Sequence, residues 1–316
     1  MIVHHLSYPL STREPSHRNL VLSIGDFDGV HLGHREVLGR SVRIAGETGG
    51  VSAVMTFHPH PREVLGLEQY ARYLTPLEDK LREFEQLGLE EAYVVQFDKP
   101  FSSVSPERFV DEVLIPLGVS TVIVGFNFTF GHKGAGTPEL LQELAGGRFA
   151  VEIVQPYVMQ EDRVSSTLIR ASLQNGQPEL AKRYLGRPFR FAGTVVHGEG
   201  RGRTIGVPTA NVELIGPYII PKQGVYAVSV LTKGSRYGGV MNIGKKPTFH
   251  GDEGIVTIEI HLFDFTGDLY GSIIEVELHR FIRSERRFSS VDELIAQINN
   301  DRMEAKQHLL SDRIML

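Results

Sequence analysis

Apolar residues follow two different rhythms along the chain. Up to about residue 185, short runs rich in Val, Ile, Leu and Phe alternate with stretches whose apolar residues recur at helical spacing. The runs at 20–24, 51–57, 92–97, 121–125 and 149–154 read as strands. Several are apolar on both faces, the pattern of a parallel sheet covered by helices. Helix signals fall between them. Thr75, Pro76 and Glu78 offer an N-cap, a proline for the first helical position and a capping-box partner. Leu77, Leu81, Phe84 and Leu87 follow at helical spacing, and Gly88 supplies a stop. Ser105-Pro106 and Thr137-Pro138 repeat the cap-then-proline opening. This alternation predicts a doubly wound, Rossmann-like α/β domain.

From residue 186 the texture becomes strand, turn, strand. The runs at 189–197, 224–231, 237–243, 255–265 and 272–281 are rich in Val, Ile, Phe and Tyr and are separated by Gly, Pro and Asp clusters. A final helix opens at Ser290, with Glu293 to complete a capping box, and carries Leu294, Ile298 and Leu309 toward a core. Short strands with one helix predict a small closed or nearly closed β-barrel with a C-terminal helix. The expected domains are 1–185 and 186–316, within reach of a chain of 316 residues.

Composition narrows the function. The net charge of −5 argues against a protein that works by neutralising nucleic-acid phosphates. The chain has no cysteine, which removes disulfides, thiolate metal sites and cysteine nucleophiles and suits a reducing compartment. The first residues lack the basic-then-apolar layout of a secretory signal, and no apolar run is long enough to span a bilayer. The expectation is a cytoplasmic enzyme acting on small molecules, with no nucleic-acid or membrane partner. Nothing in the sequence fixes an oligomeric state.

Residues 25–34 read GDFDGVHLGH and run from the first strand into a helix expected at 36–45. A glycine-bearing turn into a helix presents free N–H groups and the positive helix end to an anion. Gly25 and Gly29 permit close backbone approach, and His31 and His34, three apart, can face one ligand. Two imidazoles at that point suit charge building on a phosphate under attack. A surface turn with two solvated histidines is the competing reading, and a metal site a weaker one, since no third ligand stands at a suggestive interval.

The segment resembles the HxGH motif of nucleotidyltransferases, most closely their FAD synthetase branch. TFHPHP at 56–61, GFNFTFGHKGAGT at 125–137 and VSSTLIR at 164–170 agree with that resemblance. It implies ATP binding by Gly25, Phe27, Asp28, Gly29, His31, His34, Ser165, Ser166, Thr167 and Arg170. It implies flavin contacts from His58, Pro59, His60, Pro61 and Asn127. The sequence departs from the family's pattern at His58, where an acidic residue is expected. The implied chemistry is an in-line displacement: a phosphate oxygen of FMN attacks the α-phosphorus of ATP and pyrophosphate leaves. Read alone, this half also resembles cytidylyltransferases and pantetheine-phosphate adenylyltransferases.

The second half carries GRTIGVPTAN at 202–211. Thr209 and Asn211 alternate onto one face, and a hydroxyl with an amide can hold hydrated, nucleotide-bound Mg²⁺. In TIEIHLFDF, Thr257, Glu259 and His261 share one side, where a carboxylate can act as general base toward a hydroxyl. A polar turn and an outward-facing glutamate are the plainer readings. These blocks, with GVYAVSV, MNIGKKPTF, EIHLFDFTGDLYG and RSERRF in order, resemble riboflavin kinase. That resemblance implies Mg-ATP binding around Gly202, Thr204, Gly206, Pro208, Thr209 and Asn211, with Glu259 deprotonating the riboflavin 5′-hydroxyl. GVMNIGKK at 239–246 imitates a P-loop, but its strand-turn-strand setting excludes that mechanism. The implied co-substrates are ATP with Mg²⁺, and riboflavin, FMN and FAD as substrates or products. A single surviving activity and a flavin sensor that has lost catalysis are the rival readings.

Overall fold

Six short strands, most of them apolar on successive residues, make the first sheet: β1 (Ile2–Leu6), β2 (Leu20–Ile24), β3 (Val51–His58), β4 (Glu91–Gln96), β5 (Val119–Gly125) and β6 (Ala150–Val154). Their order is β1-β4-β3-β2-β5-β6, and every pairing is parallel. The computed structural model describes residues 1–10, 19–67, 71–198, 202, 206–246 and 255–314. It divides into compact units Met1–Ser166 and Thr167–Leu316.

Alternate residues of the strands feed opposite apolar layers. Leu22, Met55, Val95 and Val122 join one layer; Val21, Val54, Ala92 and Ile123 join the other. Both faces are thus covered, as continuous apolar runs require. From β2 the chain steps to β3 and β4 on one side, and β5 and β6 lie on the other. The strand order therefore reverses between β2 and β5, where open α/β sheets place their ligand crevice.

The first unit carries α1 (Leu32–Thr48), α2 (Pro61–Val64), α3 (Leu77–Gln86), α4 (Lys99–Ser102), α5 (Pro106–Phe109) and α6 (Pro138–Ala145). A small hairpin of β7 (Val158–Met159) and β8 (Asp162–Arg163) follows. Ser105 and Thr137 cap α5 and α6 through their hydroxyls, as the sequence predicts. Three expectations need correction. α1 starts at Leu32 rather than 36, because the His31 ring itself caps it. α3 starts one residue later than expected, with Pro76 at the cap and no side-chain cap bond; the Thr75 N–H instead donates to Asp28 Oδ1 at 3.1 Å. The buried residues of α3 are Asp79, Lys80, Glu83 and Phe84, while Leu77, Leu81 and Leu87 are half-exposed. Buried charges share this face with Phe84, and Leu81 and Leu87 pack at its margin against the same apolar cluster.

α7 (Ser166–Gln174) starts at the last residue of the first unit; α8 (Pro178–Leu185) lies in the second. Then come β9 (Phe189–Val196), β10 (Ala210–Leu214), β11 (Gly224–Thr232), β12 (Ser235–Lys246), β13 (Ile255–Leu262) and β14 (Ile273–Arg283), closed by α9 (Val291–Ser311). The strands form a closed antiparallel barrel in the order β10-β13-β12-β11-β14-β9. Closure leaves no unpaired sheet edge. Ser290 caps α9, and Glu293 reaches back to the Ser289 N–H at 2.9 Å, one residue earlier than the expected box. Leu309 is fully buried; Leu294 and Ile298 are half-buried.

Between β11 and β14 lies a buried polar node. His279, 3% exposed, sits 2.9 Å from Ser229 Oγ through Nε2, and Ser229 donates to Glu277 at 3.1 Å. Burial pulls the His279 pKa down to about 4, opposed by Glu277 and reinforced by the charges of Lys182, His308 and Arg236. The unfolded chain therefore takes up a proton near pH 6.5 that the folded protein refuses, so stability falls as pH drops from 6.5 toward 4. By pH 5 this group alone should remove about 2 kcal/mol. Denaturant unfolding at pH 7 and pH 5 checks this: His279→Gln should be less stable at pH 7 yet show a smaller pH-dependent loss than the parent. An unchanged pH dependence would remove His279 from the account.

Candidate active sites

In a parallel sheet the strand C-termini share one edge, and that edge collects the first set of predicted residues. Gly25–His34 follow β2, His58 ends β3 with Pro59–Pro61 just beyond it, and Asn127 stands two residues beyond β5, exposed. They surround the point of strand reversal. The chain turns sharply after β2: Phe27, Gly29 and Val30 all have positive φ, at 57°, 91° and 41°. Only the glycine adopts that region without strain. Within the turn the Asp28 N–H donates to Asp26 Oδ2 at 3.2 Å and the Val30 N–H to the Phe27 carbonyl at 3.0 Å, and the turn leads directly into the N-terminus of α1, the positive end of that helix.

His31 Nδ1 accepts from the His34 N–H at 3.2 Å, and the two rings stack at 3.5 Å. Phe27 lies edge-on to His34. Burial holds the His34 pKa well below the ordinary histidine value, and the nearby His31 and Lys80 push it further down. His34 is thus a neutral imidazole, and its Nδ1 is buried without a hydrogen-bond partner. Ser166 Oγ donates to the Asp28 carbonyl at 2.8 Å, which joins the serine block to the turn. Ser165 precedes α7, while Thr167 and Arg170 lie on that helix in the second compact unit.

His60 is buried, and its Nδ1 caps α2 by accepting from the Arg62 N–H at 3.0 Å. Its Nε2 lies 3.3 Å from Asp26. Pro61 is the first residue of α2, and the His58-Pro59 bond is cis. His58 is exposed; partial burial and the Lys80 charge lower its pKa. Asp26 and Lys80 are the residues that sequence reasoning missed. Asp26 is one of two aspartates in the motif, and Lys80 reads as a solvated helix position, so neither carried a signal.

The second set meets on one side of the barrel. Asn211 on β10 pairs directly with Glu259 on β13, and Asn242 on β12 pairs with Glu259 from the other side. Thr209 Oγ1 donates to Glu259 Oε2 at 3.4 Å. Ile258, Ile260 and Leu262 point inward while Thr257, Glu259 and His261 face the other way, as alternation predicts. His261 Nδ1 contacts the Pro208 carbonyl at 2.9 Å, and burial lowers its pKa, so the ring is a neutral donor to that carbonyl. Asn242 donates to Glu285 at 3.2 Å; neither residue was singled out in the sequence.

Two glycines are fixed by close approach. A Cβ on Gly198 would stand 2.0 Å from Asn211 Nδ2, and one on Gly202 would stand 2.3 Å from the Val207 carbonyl. Gly202 accepts from the Val207 N–H at 2.8 Å, which closes the loop ahead of Thr209. Gly206 (φ 76°) and the exposed Pro208 complete that loop. Thr204 lies outside the described residues.

Comparison with known proteins gives one reading for both halves. The FAD synthetase family model matches residues 13–168, and the riboflavin kinase family model matches 185–309. The chain is 46% identical over 303 residues to the bifunctional riboflavin kinase/FMN adenylyltransferase of Bacillus subtilis, covering 95% of this chain and 96% of that one. It is 40% identical over 292 residues to the Escherichia coli K12 protein of the same name, covering 91% and 92%. A crystal structure described as a macrolide-efflux protein from Streptococcus pneumoniae superposes with a TM-score of 0.89 at 31% identity, covering 97% of this chain and 99% of that one.

The electrostatics of the first site can be read directly. Imidazole nitrogen shifts of His34, followed by NMR through a titration, should remain those of a neutral ring from pH 8 down through pH 6. Protonation at or above the ordinary histidine value would contradict the burial described.

Proposed function

The chain belongs to the family of bifunctional riboflavin kinase/FMN adenylyltransferases, and we propose that two separate residue groups perform its two reactions, one centred on His31 and His34, the other on Glu259. The enzyme phosphorylates riboflavin with ATP to give FMN, and transfers the adenylyl group of ATP to FMN to give FAD and pyrophosphate. The observation that carries the assignment is that these groups lie in different compact units. The activities divide at residues 1–185 and 186–316, a reading supported by the matched spans and by the change of texture at Phe189.

In adenylyl transfer the acceptor is already an anion, so no protein nucleophile is needed. Binding, alignment and charge neutralisation do the work. The turn at 25–30 and the start of α1 receive the triphosphate. His31, whose Nδ1 is occupied as an acceptor, presents Nε2–H as a donor to oxygens that gain charge. His34, a neutral ring stacked on His31, completes the site without an ion's desolvation cost. Ser166, tied to the turn through the Asp28 carbonyl, and its neighbour Ser165 hold ATP phosphates. His58, Pro59, His60, Pro61 and Asn127 border the flavin.

In the kinase reaction Glu259 takes the proton of the riboflavin 5′-hydroxyl as that oxygen attacks the γ-phosphorus, and ADP leaves. The oxygen donors Thr209 Oγ1 and the Asn211 amide fit Mg²⁺ carried by ATP. When bound, the ion neutralises charge on the transferred phosphoryl group. Gly198 keeps the space that the Asn211 side chain occupies, and His261 steadies the Pro208 carbonyl beside Thr209. The absence of cysteine and the use of ATP suit the cytoplasm, and among the described residues no helix is long and apolar enough to cross a membrane.

Time courses with riboflavin, FMN and FAD resolved by chromatography test the separation. Glu259→Gln should lower FMN formation by roughly a hundredfold or more while FAD formation from supplied FMN stays within about twofold. His31→Ala should give the reverse pattern. Loss of both activities in either variant would sink the two-site reading.

A further inference from the structure

The strained turn at 26–30 is gripped from beneath at three points. Lys80 on α3 is 2% exposed, and its Nζ donates to the Asp26 carbonyl at 2.6 Å, with the Asp26 carboxylate 3.7 Å away. Thr56 Oγ1 donates to the same carbonyl at 2.9 Å. The Thr75 N–H, just ahead of α3, holds the Asp28 carboxylate. At the far end, Arg35 Nε donates to the Val30 carbonyl at 3.3 Å, and its guanidinium pairs at 2.8 Å with Glu83, 1% exposed on α3.

A lysine and a glutamate buried on one helix face are expensive unless their pairing matters. Both end on backbone carbonyls of the turn, Lys80 directly and Glu83 through Arg35. We propose that Lys80 and Glu83 are positioning residues for adenylyl transfer, holding the turn so that the start of α1, with His31 and His34, stays aimed at the ATP phosphates. The inference rests on the phosphate-binding role of that turn. It adds that α3, whose sequence carries none of the recognised motifs, sets the geometry of the transition-state contacts.

A misaimed anion site loses rate before it loses binding, since alignment counts most where charge builds. The full chain carrying Lys80→Met or Glu83→Gln is assayed for FAD formation from FMN and ATP, for FMN formation from riboflavin, and for the fraction of molecules that bind FMN in fluorescence titration. Lys80→Met is expected to lower the kcat of FAD formation at least tenfold and Glu83→Gln about fivefold. KM for FMN should change less than threefold, the FMN-binding fraction should be intact, and FMN formation should stay within twofold of the parent. FAD formation within twofold of the parent for Lys80→Met overturns the proposal. So does a rate loss that merely tracks a loss of FMN-binding molecules, because that is a folding effect. If Lys80→Met yields no soluble protein, Glu83→Gln decides by the same criteria. His31→Ala runs alongside: an unaffected rate there would remove the site itself, whereas an effect there without one at α3 removes only this inference.

Discussion

A backbone forced into three left-handed conformations within four residues is the constraint on which the first unit is built. Phe27, Gly29 and Val30 take positive φ, and two of them bear side chains for which that region costs of order 1–3 kcal/mol each. The turn persists because neighbours over-determine it. The Phe27 ring packs edge-on to Phe84 and His34, Val30 is fully buried, and hydrogen bonds from β3, α1 and the approach to α3 fix its carbonyls and carboxylates. The result is a fixed lead-in to α1 that sets where His31 and His34 stand.

The barrel solves the same problem with side chains. Antiparallel pairing sets Asn211 and Asn242 directly across from Glu259 on its two sides, so register alone fixes three polar groups in a row. A one-residue slip would turn Glu259 inward among Ile258 and Ile260. The buried inner face forbids that slip, and the hydrophobic core thereby specifies the carboxylate's position. One unit thus fixes the start of a helix with a strained turn, and the other fixes a carboxylate with sheet register.

Much of this was legible because the relevant signals are local. Strands with two apolar faces, cap-proline pairs before α5 and α6, and the alternation in β13 each state their own geometry. Losses came where geometry is set from a distance. β1 carries two histidines in five residues and leaves Ile2 60% exposed, so its pattern announces no strand; parallel pairing with β4 makes it one. β10 buries only Val212 and is defined by its partners β9 and β13. On α3 the apolar pattern gave the helix and the part of its buried face where Leu81, Phe84 and Leu87 pack, but not Lys80 and Glu83, charged residues whose partners lie 54 and 48 positions away.

That last error shows what motif reading leaves out. The residues that touch a phosphate cluster in recognisable blocks, since a turn and a helix start must be contiguous in sequence. Groups that hold the turn obey no such rule: any element passing beneath can supply them, and each pays its desolvation only if it finds a partner there. A buried charge ending on a backbone carbonyl of a strained turn is therefore a physical marker of the supporting layer. In this enzyme the marker falls on α3, where the sequence alone predicts a plain amphipathic helix. The contact residues were legible in the chain; the scaffold that aims them becomes visible only when hydrogen bonds to the turn's own carbonyls are followed back to their donors.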